Sequence, residues 1–283
     1  MLNGCAYILT VDVGNTFIRF GLFAEDSAAA QECPLATCEI TTPSSITADE
    51  ARMRLAQVMG ALAADAGMPG ALVPTAAVLS CVVPALERPW KAALSRTCTG
   101  RVLTVGPGLK TGMPVHYDDP AEIGPDRIAD AVAARAVYGS PCIVIDLGTT
   151  TNIEVIDAHG TFVGGVIAPG LALGARSLSA AAARLPQVEP SAPTHVIGRN
   201  TREAMRSGVV LGEVARIDGM LDMVLAEMRS TKAAGEGGVP IVITGDDAEA
   251  LAALVGHTLT VDDALTLRGL AELYRINQKP RRA

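Results

Sequence analysis

Basic charge and aromatic side chains are the two things this sequence has little of. Its 23 Lys and Arg are outnumbered by 30 Asp and Glu, for a net charge of −7, and only 3% of residues are aromatic. No stripe of Lys or Arg gathers anywhere, so the electrostatic footprint of a nucleic-acid binder is missing. The first eighteen residues contain neither Lys nor Arg, and Asp12 interrupts the apolar stretch there. Neither a signal peptide nor a membrane span is therefore expected, and the expected location is the cytoplasm. Cysteine pairs are also lacking: Cys5, Cys33, Cys38, Cys81, Cys98 and Cys142 form no C-x-x-C motif, and His116, His159, His195 and His257 are dispersed. That excludes zinc-finger spacing and favours reduced, mostly buried thiols.

What is present is aliphatic. Of 283 residues, 49% are hydrophobic, and chains beyond roughly 250 residues tend to divide into two cores. Valine-rich runs beside alanine-rich helical stretches indicate an α/β chain. Strands are expected at 7–13, 17–24, 36–41, 76–84 and 101–106, with helices in 47–67 and 85–97. Thr47 and Glu50 have capping-box spacing, which marks a helix start. The Gly-, Pro- and Asp-rich stretch 107–126 reads as a connector. After it come a helix opening at Pro125, strands at 142–147, 152–158 and 159–169, a long helix over 199–229, a strand within 238–247 and a terminal helix over 262–277. Gly208 and Gly212 inside the long helix each cost roughly 1 kcal/mol relative to Ala. Either a close approach to another helix or a local break would account for them. The expected division is 1–115 and 116–283.

One phrase occurs twice. "ILTVDVGNT" at 8–16 is answered by "IVIDLGTTT" at 143–151, nearly half the chain later. In each copy a β-branched strand ends in Asp, a spacer, Gly and small polar residues. Such a turn brings backbone amides close to an anion, while the carboxylate acts on phosphate through a hard cation such as hydrated Mg²⁺. One copy is an ordinary Asp-Gly turn. Two, each leading into another strand, resemble the paired phosphate loops of the superfamily containing actin, hexokinase and Hsp70. That resemblance implies duplicated ribonuclease H-like (actin-like ATPase) domains, each a mixed five-stranded sheet with flanking helices, with a cleft between them.

Further stretches narrow the resemblance. "VGPGLKTGMPVHYDDPAEIGPDRIADAVAA", with Tyr117 to Pro120 and Gly124 to Arg127, together with "SCVVPAL", "GGVIAPGL", "IGRNTREAMRSGVVLG" and "LTLRGLAELY", is similar to the type III pantothenate kinases across nearly the whole chain. The resemblance implies transfer of the γ-phosphoryl of ATP to the primary hydroxyl of pantothenate, giving 4'-phosphopantothenate, the first step of coenzyme A synthesis. Asp126 would be the catalytic carboxylate that orients the hydroxyl and takes its proton. Tyr117, Gly124, Asp126, Arg127 and the position of Ala182 would bind substrate, with Arg127 on its carboxylate as a paired-donor fork. Asp12, Gly14, Asn15 and Thr16 would form one ATP loop, and Gly148, Thr149 and Thr150 the other, with Gly245 near the nucleotide. Asp12 would hold Mg²⁺ and Asp146 a monovalent cation, potassium or ammonium. The family's homodimer is implied as well.

Three stretches depart from the family pattern. The second loop usually reads G-T-A-T-T, an apolar residue and Asp, whereas here it runs Gly148-Thr149-Thr150-Thr151-Asn152-Ile153-Glu154. Asp246 replaces the second glycine of T-G-G, and Ala182 replaces a threonine that reaches pantothenate in the family. These leave open a catalytically weakened paralogue that binds nucleotide or regulates, and a kinase for another small hydroxylated substrate.

Overall fold

The structure, a computed structural model, describes residues 6–25, 33–68 and 72–278. Its first strand, β1 (Tyr7–Val13), is buried on both faces from Ile8 onward, as befits a central strand that is apolar except at Thr10 and Asp12. It pairs antiparallel with β2 (Phe17–Ala24), which pairs antiparallel with β3 (Ala36–Thr41). On its other edge β1 pairs parallel with β4 (Ala76–Cys81), and β4 with β5 (Val102–Thr104). The order is β3-β2-β1-β4-β5.

Helix α1 (Ala48–Asp65) opens with the capping box expected at Thr47 and Glu50, and α2 (Pro84–Thr97) opens on a proline. Their apolar faces, Leu55, Val58 and Leu62 with Leu86, Trp90 and Leu94, pack with Leu9, Val11 and Phe20 in one core. Trp90 meets Phe20 edge-on at 5.7 Å between ring centroids, a favoured aromatic arrangement.

A second sheet repeats that plan. The strands β6 (Cys142–Leu147), β7 (Thr150–Ile156) and β8 (Phe162–Pro169) form an antiparallel meander. Then β9 (Ile241–Gly245) joins β6 in parallel, and β10 (Thr260–Val261) joins β9. The order β10-β9-β6-β7-β8 is the first order with its strands relabelled. The doubled phrase therefore stands at the first hairpin of each sheet, β1–β2 and β6–β7.

The long helical stretch is α5 (Thr201–Arg206), a π turn at Ser207–Leu211 and α6 (Gly212–Ser230). Of the two readings of its glycines, the local break is the one observed within the chain: a Cβ at Gly208 or Gly212 would meet nothing within 4 Å. Three short elements escaped the sequence reading. They are α4 (Leu171–Ala181), whose Gly174 weakens its helical signal, β10, and α7 (Ala248–Ala252). The strands expected at 76–84 and 101–106 are shorter, ending at Cys81 and Thr104.

The chain forms two compact units, 1–137 with 264–283, and 138–263. A linear division at 115/116 differs from this in two places. Helix α3 (Pro125–Tyr138) lies almost wholly in the first unit, and the terminal helix α8 (Leu265–Ile276) returns to it. The reason is a close helix–helix approach, in which a Cβ at Gly269 on α8 would stand 1.9 Å from the Ala129 carbonyl oxygen on α3. Among the described residues Cys33, Cys38, Cys81, Cys98 and Cys142 are free thiols, and Cys5 lies outside them. No described helix is long and apolar enough to cross a membrane.

Candidate active site

In the first unit, β1 carries Asp12 to the mouth of the β1–β2 turn. Gly14 donates its amide to the Phe17 carbonyl at 3.0 Å, and the Thr42 hydroxyl donates to the Gly14 carbonyl at 2.8 Å, so the turn is braced from β3. Asn15 and Thr16 are exposed at its tip, while Asp12 is only 7% exposed. Its Oδ1 has no hydrogen-bond partner among the described residues. Burial and then the charge of Asp126 push its pKa up to about 6, with Ser80 and Arg19 pulling the other way. A buried oxygen left unsatisfied is costly, and a hard cation is what would satisfy it. Asp12 therefore fits a Mg²⁺ site. Among the described residues no group of three or more candidate metal ligands gathers. A Mg²⁺ ion held by one or two carboxylates keeps several of its waters.

Asp126 occupies the first turn of α3, directly after Pro125. Its Oδ1 folds back to accept the Arg127 amide at 2.8 Å, so free helix-end amides and the helix dipole favour the anion. Burial raises its pKa, opposed by those amides and the Arg127 guanidinium. The Gly-x-Asp spacing has a steric cause: a Cβ at Gly124 would stand 2.4 Å from Asp126 Oδ1. Arg127 is 5% exposed, and Tyr117 is half-buried on the connector. The same unit holds a cavity of about 390 Å³ that Pro125 and Ile128 line but Asp126 itself does not. Val105, Met113, Val115, Ile123, Pro125 and Ile128 are among the residues that line it. Sequence reading missed this cavity, because its walls come from a connector without periodicity.

In the second unit, Asp146, Gly148, Thr149 and Thr150 come together in the β6–β7 turn, each half-buried. The Gly148 amide bonds the Thr150 carbonyl at 2.9 Å, and the Gly170 amide bonds the Thr149 carbonyl at 3.0 Å. Two glycines press on this turn. A Cβ at Gly170 would lie 2.2 Å from the Gly148 carbonyl oxygen, and one at Gly245, where φ is +91°, 2.1 Å from that of Leu147. Gly170 was overlooked as a site residue, although "GGVIAPGL" contains it. Of the departures, Asn152 lies opposite Asp146 in the β6–β7 register and is 5% exposed, and Glu154 is fully buried. Asp246 is not among the described non-glycine residues with positive φ, which are Lys232 and Asp247. Its amide bonds the Leu147 carbonyl at 2.6 Å. Ala182 caps α4 on the same unit, its amide bonding the Leu178 carbonyl.

Burial of Asp12 has a consequence for stability. A carboxyl whose folded pKa exceeds its unfolded 3.8 binds protons more tightly when folded. Stability is therefore greatest below the unfolded value, falls as pH rises toward 6 and stays low above it. The interval corresponds to about 3 kcal/mol. In chelator, Asp12→Asn is expected to match wild type near pH 4 and to exceed its melting temperature increasingly up to pH 6 to 7. A melting difference independent of pH would show that Asp12 is not the buried acid described.

Two sheets of one topology, each with an Asp-x-Gly turn leaving its first strand, define the actin-like ATPase class. Solved structures share the fold. A Campylobacter jejuni protein described as a Baf family transcriptional activator superposes with a TM-score of 0.56 at 18% identity, over 95% of this chain and 98% of its own. The ethanolamine utilization protein EutJ of Carboxydothermus hydrogenoformans does so with 0.51 at 16%, over 94% and 89%. Sequence narrows the class: the profile of the family described as type III pantothenate kinase matches residues 8–223. Curated type III pantothenate kinases of Koribacter versatilis and Rhodococcus opacus are each 37% identical, covering 96% and 98% of this chain and 96% and 97% of their own. One of Symbiobacterium thermophilum is 39% identical over 96% and 97%. The chain belongs to the type III pantothenate kinase family.

Proposed function

We propose that the chain transfers the γ-phosphoryl group of ATP to the primary hydroxyl of pantothenate. The observation that carries this reading is the first-unit pair of carboxylates: Asp126 held at a helix N-terminus, its charge felt by a buried Asp12 with an unsatisfied oxygen. Asp126 accepts the hydrogen bond of the substrate hydroxyl and takes its proton as the bond to phosphorus forms. In phosphoryl transfer positioning and charge stabilisation dominate, so a weak base suffices. The cavity lined by the neighbouring Pro125, with valine, isoleucine and methionine walls, suits the gem-dimethyl carbons of pantothenate. Arg127 suits its carboxylate. Mg²⁺ at Asp12 would supply charge neutralisation for the phosphates. The amides of Gly148 to Thr150, with Gly245, are read as the nucleotide loop, and Asp146 as the ligand of a potassium or ammonium ion.

Purified protein with Mg²⁺, ATP, potassium or ammonium, and pantothenate tests this. Pantothenate-dependent ADP release is expected. ATP binding with no turnover on pantothenate would sink the reading and favour the regulatory paralogue, whereas turnover of another alcohol would relocate the substrate.

A homodimer belongs to the same proposal. Leu178, Val196, Ile197 and Met223 on the second unit are exposed, and Gly208 and Gly212 face open space in the single chain. Sedimentation at micromolar concentration is expected to give twice the 29.1 kDa chain mass. Introducing Ile197→Asp is expected to shift the equilibrium toward monomer. A wild-type monomer would refute the dimer.

A further inference from the structure

A buried carboxylate to which the proposed reaction gives no role sits under the second glycine turn. Glu213, in the first turn of α6, is 4% exposed. Its Oε1 accepts the Thr151 hydroxyl at 2.6 Å, and its Oε2 pairs with the Arg216 guanidinium, which also donates to the Pro169 carbonyl. These two anchor points flank the turn. Thr151 is the residue after it on β7, and Pro169 stands opposite Thr150 in the β7–β8 register. Gly170, next to Pro169, is the residue whose backbone presses on Gly148 and Thr149.

An ion pair with one partner buried, as Glu213 is, and the other partly exposed, as Arg216 is, adds little net stability, because desolvation offsets its attraction, yet it fixes geometry closely when every oxygen is engaged. Here the engaged atoms are those that set the spacing of β7 and β8 where the turn emerges. The π turn at Ser207–Leu211 precedes Glu213 by one residue, Gly212. An extra residue in a helical turn rotates the rest of the helix by about 100°. With that phase Glu213 shares the inward face with Val214, Ile217 and Leu221.

We propose that Glu213 is a positioning residue for nucleotide binding: through Thr151 and Arg216 it presets the Gly148–Thr150 amides that receive phosphate oxygens. This rests on the reading of that turn as the nucleotide loop. Preset donors cost no ordering when the ligand arrives, so loosening them weakens nucleotide affinity and leaves the alcohol side untouched.

The test is calorimetric binding of Mg-ATP to the full chain, with steady-state KM for each substrate, in wild type, Glu213→Gln, Glu213→Ala and Thr151→Val. Glu213→Ala and Thr151→Val are expected to weaken ATP binding about tenfold each, with pantothenate KM within about twofold of wild type. Combining the two is expected to add little, since residues in one network do not act independently. Glu213→Gln, which can still accept from Thr151 but loses the charge opposite Arg216, should fall between. If Glu213→Ala does not fold, Thr151→Val and Arg216→Lys decide by the same measurement. Variants that fold and bind ATP within twofold of wild type, or that raise both KM values alike, overturn the proposal. A wild-type chain that binds ATP but does not turn over pantothenate refutes the kinase reading and leaves this comparison in force. One that binds no nucleotide refutes both.

Discussion

Asp126→Asn is expected to lower kcat for pantothenate phosphorylation by about 10²- to 10⁴-fold, the range of a positioned general base. KM for ATP should stay within a factor of a few. The substitution isolates chemistry from architecture because the amide keeps the carboxylate's shape. Its oxygen can still accept the Arg127 amide, now at 2.8 Å, and the clearance that Gly124 provides is unchanged. What disappears is the proposed proton acceptor and the negative charge that raises the Asp12 pKa. That charge helps to raise the Asp12 pKa, so the variant also predicts a second, separable effect: the stability advantage of Asp12→Asn, which sets in above the unfolded carboxyl pKa in either background, levels off at a lower pH and is smaller in the Asp126→Asn background. Circular dichroism and melting temperature check folding, and single-turnover kinetics check the rate. Activity within tenfold of wild type would remove Asp126 from the role of base.

Much of the fold was legible because it is written in local signals. The capping box at Thr47 and Glu50, the Pro125 helix start and the β-branched runs of β1 and β6 each specify an element without help from distant residues. The repeat of the Asp-x-Gly phrase carried the duplication, and its two hairpins proved to be the equivalent hairpins of two sheets with one strand order. Less legible was anything set by approach between distant segments. Gly170 and Gly245 close on the second turn from β8 and β9, and a sequence shows that they are glycines but not what they touch. Likewise Glu213 reads as an ordinary helix-start acid, a favoured place for it. Only the phase imposed by the π turn and the packing beneath β7 turn it inward. The terminal helix shows the same limit: its amphipathic pattern gave its existence, while its home in the first unit depends on Gly269 meeting Ala129.

Gly245→Ala is expected to weaken Mg-ATP binding by tenfold or more and to lower the melting temperature, whereas Asp246→Gly next to it is expected to leave binding intact and to lower the melting temperature by a few degrees at most. The contrast comes from where the conformational demand lies. The T-G-D run departs from T-G-G at its third residue, and that departure suggests that Asp246 strains the turn. The backbone shows otherwise: φ is +91° at Gly245, and Asp246 is not among the described residues in that region. For an alanine, positive φ alone costs about 1–2 kcal/mol. Its Cβ would also lie 2.1 Å from the Leu147 carbonyl oxygen and 2.8 Å from Asp146 Oδ1. Neither neighbour can yield cheaply. Leu147 is held opposite Gly245 by the β6–β9 ladder and accepts the Asp246 amide, so relief means moving the end of β6, from which Gly148 and Thr149 continue. Each 1.4 kcal/mol carried into binding is tenfold in affinity, and on the proposed reading of this turn displaced loop amides would meet phosphate at the wrong spacing. Asp246→Gly instead removes a charge and adds chain entropy of roughly 0.5–1 kcal/mol. By taking a carboxylate away from an anionic ligand, it is expected to hold or tighten ATP binding. If calorimetry finds Gly245→Ala binding as wild type does, the β6–β7 turn is not where phosphate is held. If Asp246→Gly weakens binding instead, the Asp246 side chain is itself part of the nucleotide site.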